Sequence, residues 1–220
     1  GEGALLDELV LAFLRREVVK YKEKELVILD VQGHRKFLQM LAEEMWTQEC
    51  RDLDVGTIQI VAQLLAEHLK LPAANANALV QRVSSYPFFE KSKTSRKRHA
   101  FQHEVFYGYF LAEHLSGLLA EGGFGLRSFL GRSVVEGTLA AEVARRAPAK
   151  EEERRRLIET LGRTVGKSLS DQQARENAAE LTVSLLRNAM AQTEGLQLEN
   201  LVFRGSDFRD VSLQAPAFRD

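Results

Sequence analysis

The stretch Phe101-Gln102-His103-Glu104-Val105-Phe106-Tyr107-Gly108-Tyr109-Phe110-Leu111-Ala112-Glu113-His114-Leu115 decides how the rest of the chain is read. A short β-like run ends in a histidine, and an almost wholly apolar helix follows at once. Val105 to Ala120 leaves only Tyr109, Glu113 and Ser116 as a narrow polar stripe, so the helix is expected to be buried on most sides. The sequence thus predicts a titratable hydrogen-bonding group, His103, at a strand-to-helix corner. Gly122-Gly123 is the expected end of the helix, because glycine tolerates the left-handed cap.

Upstream of this corner the pattern is helical. Ala4 to Lys20 reads as an amphipathic helix with Leu6, Leu9, Val10 and Phe13 on one face. Asp30 precedes a second helix carrying Phe37, Leu38, Leu41, Ala42 and Met45. Asp54 is a candidate cap for a third helix, its carboxylate accepting from free backbone N–H groups, with Pro72 expected to close that helix. A fourth helix is expected from about Ala74 to Ser84. Tyr86-Pro87 then breaks the period, since the residue before proline is pushed out of the α region. Phe88 to Ser92 and Arg98 to Gln102 are short enough for strands, joined by a polar turn, Lys93 to Lys97. Helices followed by a β-hairpin wing are the layout of a winged-helix domain.

Downstream, Leu126 to Met190 predicts three or more helices, divided by Pro148 and by the Lys150 to Arg156 charge run, expected to be a solvated helix face. The period then changes again. Leu198, Phe203, Phe208, Leu213 and Phe218 stand five residues apart, a spacing that neither a strand nor a helix gives. It resembles pentapeptide repeats, which coil into a square β-solenoid with the central Leu or Phe inward. One coil cannot bury its own inner face, so the array is expected to continue or to be capped by the helical domain. A tail with accidental spacing is the competing reading.

Composition bounds the function. The chain has 220 residues, 45% hydrophobic and 28% charged, with a net charge of −1. These values fit a globular protein and exclude a global field steering it to nucleic acid or anionic lipid. The single cysteine, Cys50, cannot staple the fold, which points to a reducing, cytoplasmic setting, and it reads as a half-buried helix residue. No apolar run reaches the ~20 residues a membrane span needs. Starting in a helix and stopping in a repeat, the chain is expected to be a piece of something longer.

The residues from Phe101 to Leu115 resemble the F-x-H-x-x-F-x-x-Y-F-x-A signature near the end of the winged-helix module in NACHT-type signal-transducing NTPases of the STAND class. The resemblance implies a division into the end of a preceding helical module (1–24), a winged-helix domain (25–123), a helical domain (124–193) and the start of a pentapeptide array (194–220). It implies a non-catalytic regulatory and interaction fragment of a signalling ATPase. ADP would hold the parent closed, and ATP exchange with ligand sensing would open it for oligomerisation. In that family the histidine matching His103 reaches the phosphates of ADP in the NTPase domain. A charge-assisted hydrogen bond of this kind is worth ~1.5–3 kcal/mol. The competing reading is a structural histidine pinning the corner to a backbone carbonyl. The implied partners are the NTPase domain of the same parent chain, further copies on activation, and a protein ligand for the repeats. No cofactor is expected in the fragment itself, while ADP and ATP belong to the parent. Val105 and Gly108 depart from the family pattern. Glycine inside a helix costs roughly 0.5–1 kcal/mol against alanine, so a close approach is expected at Gly108.

Other motifs are weaker. Gly162 to Ser168 has three residues between its glycines where a phosphate-binding loop needs four, and a charged helix rather than a strand precedes it. Lys91, Lys93, Arg96, Lys97, Arg98 and His99 form the most basic cluster. Lys93, Arg96, Lys97 and Arg98 are candidate phosphate contacts, which makes a winged-helix nucleic-acid-binding module the alternative. Against it, Ala74 to Ser84 holds only Arg82 as a cation. His114 is expected to be a core histidine. His34, His68 and His99 have no metal-ligand spacing with one another or with Cys50, and no catalytic constellation stands out.

Overall fold

In the computed structural model, residues 2–22, 29–82, 86, 88–93, 95, 97–166, 170–187, 198 and 200–203 are described. They are mainly helical with one small antiparallel sheet. The chain divides into two compact units between Phe110 and Leu111.

The first unit runs α1 (Glu2–Lys22), α2 (Val31–Thr47), β1 (Leu53–Asp54), α3 (Val55–His68), α4 (Ala73–Arg82), β2 (Phe89–Lys91), β3 (Arg98–Phe101) and the beginning of α5 (Glu104–Glu121). Two carboxylates start helices as their sequence positions require. Asp30 accepts from the Gly33 N–H at 2.7 Å, and Asp54 accepts from the Thr57 N–H at 3.0 Å. That bond, with a second from the Thr57 hydroxyl, holds the Asp54 carboxyl below its ordinary range. Phe37, Leu38, Leu41, Ala42 and Met45 are all fully buried on α2.

The third helix ends differently from expectation. α3 stops at His68, and Lys70 turns through a positive φ of 54°. Pro72 lies beyond that turn, and its carbonyl accepts from the Asn75 N–H at 2.9 Å. It therefore opens α4 instead of closing α3, a position that suits a residue with no N–H to donate.

The two strands expected at Phe88 to Ser92 and Arg98 to Gln102 are β2 and β3, paired antiparallel with Glu90 opposite Ala100. β1 was not expected. It pairs Leu53 with His99 and Asp54 with Arg98, so the sheet order is β1-β3-β2. Two residues carry no readable alternation. Cys50 also corrects a sequence expectation: it lies after α2 has ended, with its thiol donating to the Asp52 carbonyl at 3.1 Å. Burial pushes that thiol above its ordinary pKa.

The second unit continues α5 and adds α6 (Gly123–Leu130), α7 (Gly137–Arg146), α8 (Glu151–Gly166) and α9 (Gln172–Arg187). α9 packs against α6, α7 and α8, burying Ala174, Ala178, Leu181 and Leu185 completely. α5 gives way at Gly122, where φ is 68°. Between α6 and α7 the chain is held by one amide. The Asn177 side chain donates to the carbonyls of Leu130 and Ser133, both at 2.7 Å, and accepts from the Val135 N–H at 2.8 Å.

Two further expectations change here. The charge run is not wholly solvated: Arg154 is 6% exposed and its guanidinium donates to the Pro148 carbonyl at 2.7 Å. Its long stem is apolar, which lets arginine serve as packing while its head finds backbone acceptors. And Gly162 to Gly166, the first part of the loop-like motif, continue α8 as regular helix. Their N–H groups are spent within the helix and cradle no phosphate.

Candidate functional site

His103 sits in the two-residue corner between β3, which ends at Phe101, and α5, which starts at Glu104. The corner is fixed by backbone. The Gln102 N–H donates to the Phe88 carbonyl at 2.8 Å, and the Phe106 N–H donates to the His103 carbonyl at 3.0 Å. Beneath it lies an aromatic platform. Phe88 meets Phe106 and Phe110 edge-on at 4.8 and 5.6 Å, and Phe101 stacks on Phe110 at 5.9 Å. Phe89 lies 4.4 Å from Phe101 on the paired strand. Such ring pairs contribute about 0.5–1.5 kcal/mol each beyond their burial, so the corner is stiff.

On this platform His103 is exposed, its ring 6.0 Å from that of Phe106. Val105 beside it is 53% exposed. The side chain stands at the N-terminal end of a long helix, where unsatisfied N–H groups favour a negative partner. Tyr109 corrects the expected polar stripe, being 1% exposed. Gly108 corrects another expectation, since a Cβ there would meet nothing within 4 Å. The open space leaves the glycine without a packing reason. His114 is buried with its ring 6.1 Å from Phe129, as a core histidine.

The fold adds a residue that no motif singles out. Arg51, from the α2–β1 connection, lays its guanidinium over the Tyr107 ring at 4.4 Å and reaches Glu104 at 3.3 Å. Burial pushes the Tyr107 hydroxyl up to about 12, the nearby Arg51 opposing it. A cleft of about 260 Å³ runs beside the corner, lined by Arg51, Asp52, Lys93, Gln102, Glu104 and Tyr107 among others. Arg51 lies about fifty positions from His103 in sequence, and no motif links them.

The four candidate cations do not behave alike. Lys93 and Lys97 are exposed in the β2–β3 connection, while Arg96 lies outside the described residues. Arg98 is committed to the sheet: its Nε donates to Asp52 at 2.6 Å, and Asp54 lies at 3.9 Å. That bond to Asp52 holds the guanidinium above its ordinary pKa. Ser92 also donates to Asp52. Arg98 thus fastens β3 to the segment around β1. His99, also in the cluster, is buried, and desolvation lowers its pKa.

Of the five-residue series, Leu198 is buried and Phe203 half-buried. Phe208, Leu213 and Phe218 lie outside the described residues. The stretch at residues 200–203 is hung on α9, with Arg175 Nε donating to the Asn200 carbonyl at 2.7 Å and the Val202 N–H to the Arg175 carbonyl at 3.4 Å.

Among the described residues, no group of three or more His, Cys, Asp or Glu side chains could hold a metal ion, and no helix is long and apolar enough to cross a membrane. No protein-family model, curated protein or solved structure matches this chain.

Proposed function

We propose that the chain is a regulatory and interaction fragment of a NACHT-type STAND ATPase, in which a winged-helix domain packs on the NTPase core of the parent and His103 senses bound nucleotide. The observation that carries this reading is the exposed imidazole of His103 on a stiff β3–α5 corner, with a strand hairpin immediately before it. The order helix, strand, helix, helix, strand, strand, with the first strand beside the third, supports the winged-helix reading of residues 25–123. A helical domain follows at 124–193, and the repeats from 194 begin a pentapeptide solenoid that carries the ligand sensor. The burial of Leu198, the first of the five-residue series, supports that last assignment.

In this role the fragment carries no catalytic site. ADP and ATP are bound by the parent, and the closed and open forms are distinguished by the contact His103 makes with phosphate. A nucleotide shifts such a switch only through its different affinity for the two forms. His103→Ala in the parent is expected to weaken ADP retention by roughly 10–100-fold and to raise basal oligomerisation. Because the side chain is exposed, thermal stability of the fragment should not change. Unchanged nucleotide occupancy overturns the reading.

A second reading, nucleic-acid binding, draws on the exposed Lys93 and Lys97 in the β2–β3 connection. The exposed positions of α4, Ala74, Asn77 and Gln81, offer no cation to a phosphate backbone. Salt-dependent binding to duplex DNA would favour this second reading.

A further inference from the structure

α1 has two apolar faces, and only one is used within the first unit. Val10 and Leu14 are fully buried, Glu17 is 3% exposed, and Phe13 meets Phe88 edge-on at 5.5 Å. The other face runs Leu5, Leu9, Ala12, Arg16, Val19 and is open to solvent, with Leu5 73%, Leu9 42% and Val19 53% exposed. Its steps alternate four and three residues. That is the spacing which keeps one stripe facing a partner helix along its whole length.

The charges beside the stripe are segregated. Glu8 is exposed in the N-terminal half, and Arg15, Arg16 and Lys20 are exposed in the C-terminal half. A second copy laid parallel would keep Glu8 level with Glu8 and Arg15 level with Arg15 on opposite flanks of the pair, so unlike charges would not meet. Laid antiparallel about Ala12, it sets Leu5 opposite Val19, and Glu8 beside Arg15 and Arg16, twice over. Ala12, the smallest residue of the stripe, then falls at the crossing, where the helices must come closest. The arrangement is self-complementary, as a twofold contact requires.

We propose that α1 is a self-association surface, through which two copies of this chain pair antiparallel on Leu5, Leu9, Ala12 and Val19 with a twofold axis at Ala12. The inference rests on α1 alone and not on the role given to His103. Three large aliphatic side chains and an alanine per copy fall well short of the roughly 800 Å² per partner of a standard interface. The pairing is therefore weak and reversible, with a Kd on the order of 10⁻⁴ M.

The test is sedimentation equilibrium of the whole 220-residue chain from about 10 μM to about 1 mM, a range that brackets this Kd. A monomer–dimer equilibrium is expected for the native sequence. Leu5→Glu should leave only monomer, with helix content by circular dichroism unchanged because Leu5 is exposed. Glu8→Arg should weaken pairing roughly tenfold, and adding Arg15→Glu should restore it, as only contact between these charges predicts. On a Cys50→Ser background, Leu5→Cys chains mixed with Val19→Cys chains should cross-link to each other more readily than either does to itself. The proposal is overturned if the native chain stays monomeric throughout, if Leu5→Glu pairs as well as the native chain, or if Leu5→Cys chains prefer one another. The first outcome would mean that another partner covers the stripe.

Discussion

The corner beneath His103 and the bend between α6 and α7 both hold a chain reversal in place, by opposite means. The corner is a raft of rings, with Phe88, Phe89, Phe101, Phe106 and Phe110 linked in one continuous chain of ring contacts. The bend hangs on the single amide of Asn177, which is 2% exposed and holds three backbone groups. Apolar packing is non-directional and spreads its contribution over many contacts. A buried amide concentrates it, and removing the amide leaves its partners without water or protein to bond. The first design gives a stiff surface on which an exposed side chain can be presented. The second fixes a loop with few residues.

The largest effect should come from opening the raft. Phe88→Ala removes a fully buried ring and is expected to cost about 4 kcal/mol. It can be read as a lowered urea midpoint of Trp46 fluorescence, Trp46 being the one tryptophan and lying in the first unit. If the raft shares its load less widely than argued, exchange protection of the α5 amides near Phe106 and Phe110 will also collapse.

Asn177→Ala should cost about 3 kcal/mol, read as lost hydrogen-exchange protection at the Val135 amide. The Trp46 transition should hardly move. A shift in both would show that the two units do not unfold separately, and the comparison would fail.

The first unit also has a polar pin. His34 is fully buried, and its Nδ1 shares a hydrogen bond with the Tyr86 hydroxyl at 2.5 Å. Desolvation lowers its pKa to about 4, against the opposing pull of Asp30. The folded pKa lies below the unfolded value of about 6.5. Its stabilising contribution is therefore fully present above pH 6.5 and is lost as pH falls toward 4. At pH 5.5 the loss should be on the order of 1 kcal/mol, seen in the Trp46 transition. His34→Gln should flatten that part of the profile.

The smallest effect has the opposite sign. Gly108→Ala places a methyl in open space within α5 and should stabilise by about 0.5–1 kcal/mol. A destabilisation would indicate that something packs over that position after all.

What was legible in the sequence was whatever depends on neighbours along the chain. The helical stripes, the cap at Asp54, the hairpin and the glycine stop at Gly122 follow from hydrogen bonds and periodicities only a few residues long, so residue order alone determines them. The partners of the corner were not legible. Arg51 lies over Tyr107 and Arg98 closes on Asp52, because the fold brings distant segments within reach of long, flexible cations. β1 is too short to show a period, and it became a strand only because β3 had an edge to offer. Sequence placed a histidine where a strand becomes a helix. Tertiary packing decided that it stands exposed on a rigid base, because only the assembled rings below it determine which way the corner faces.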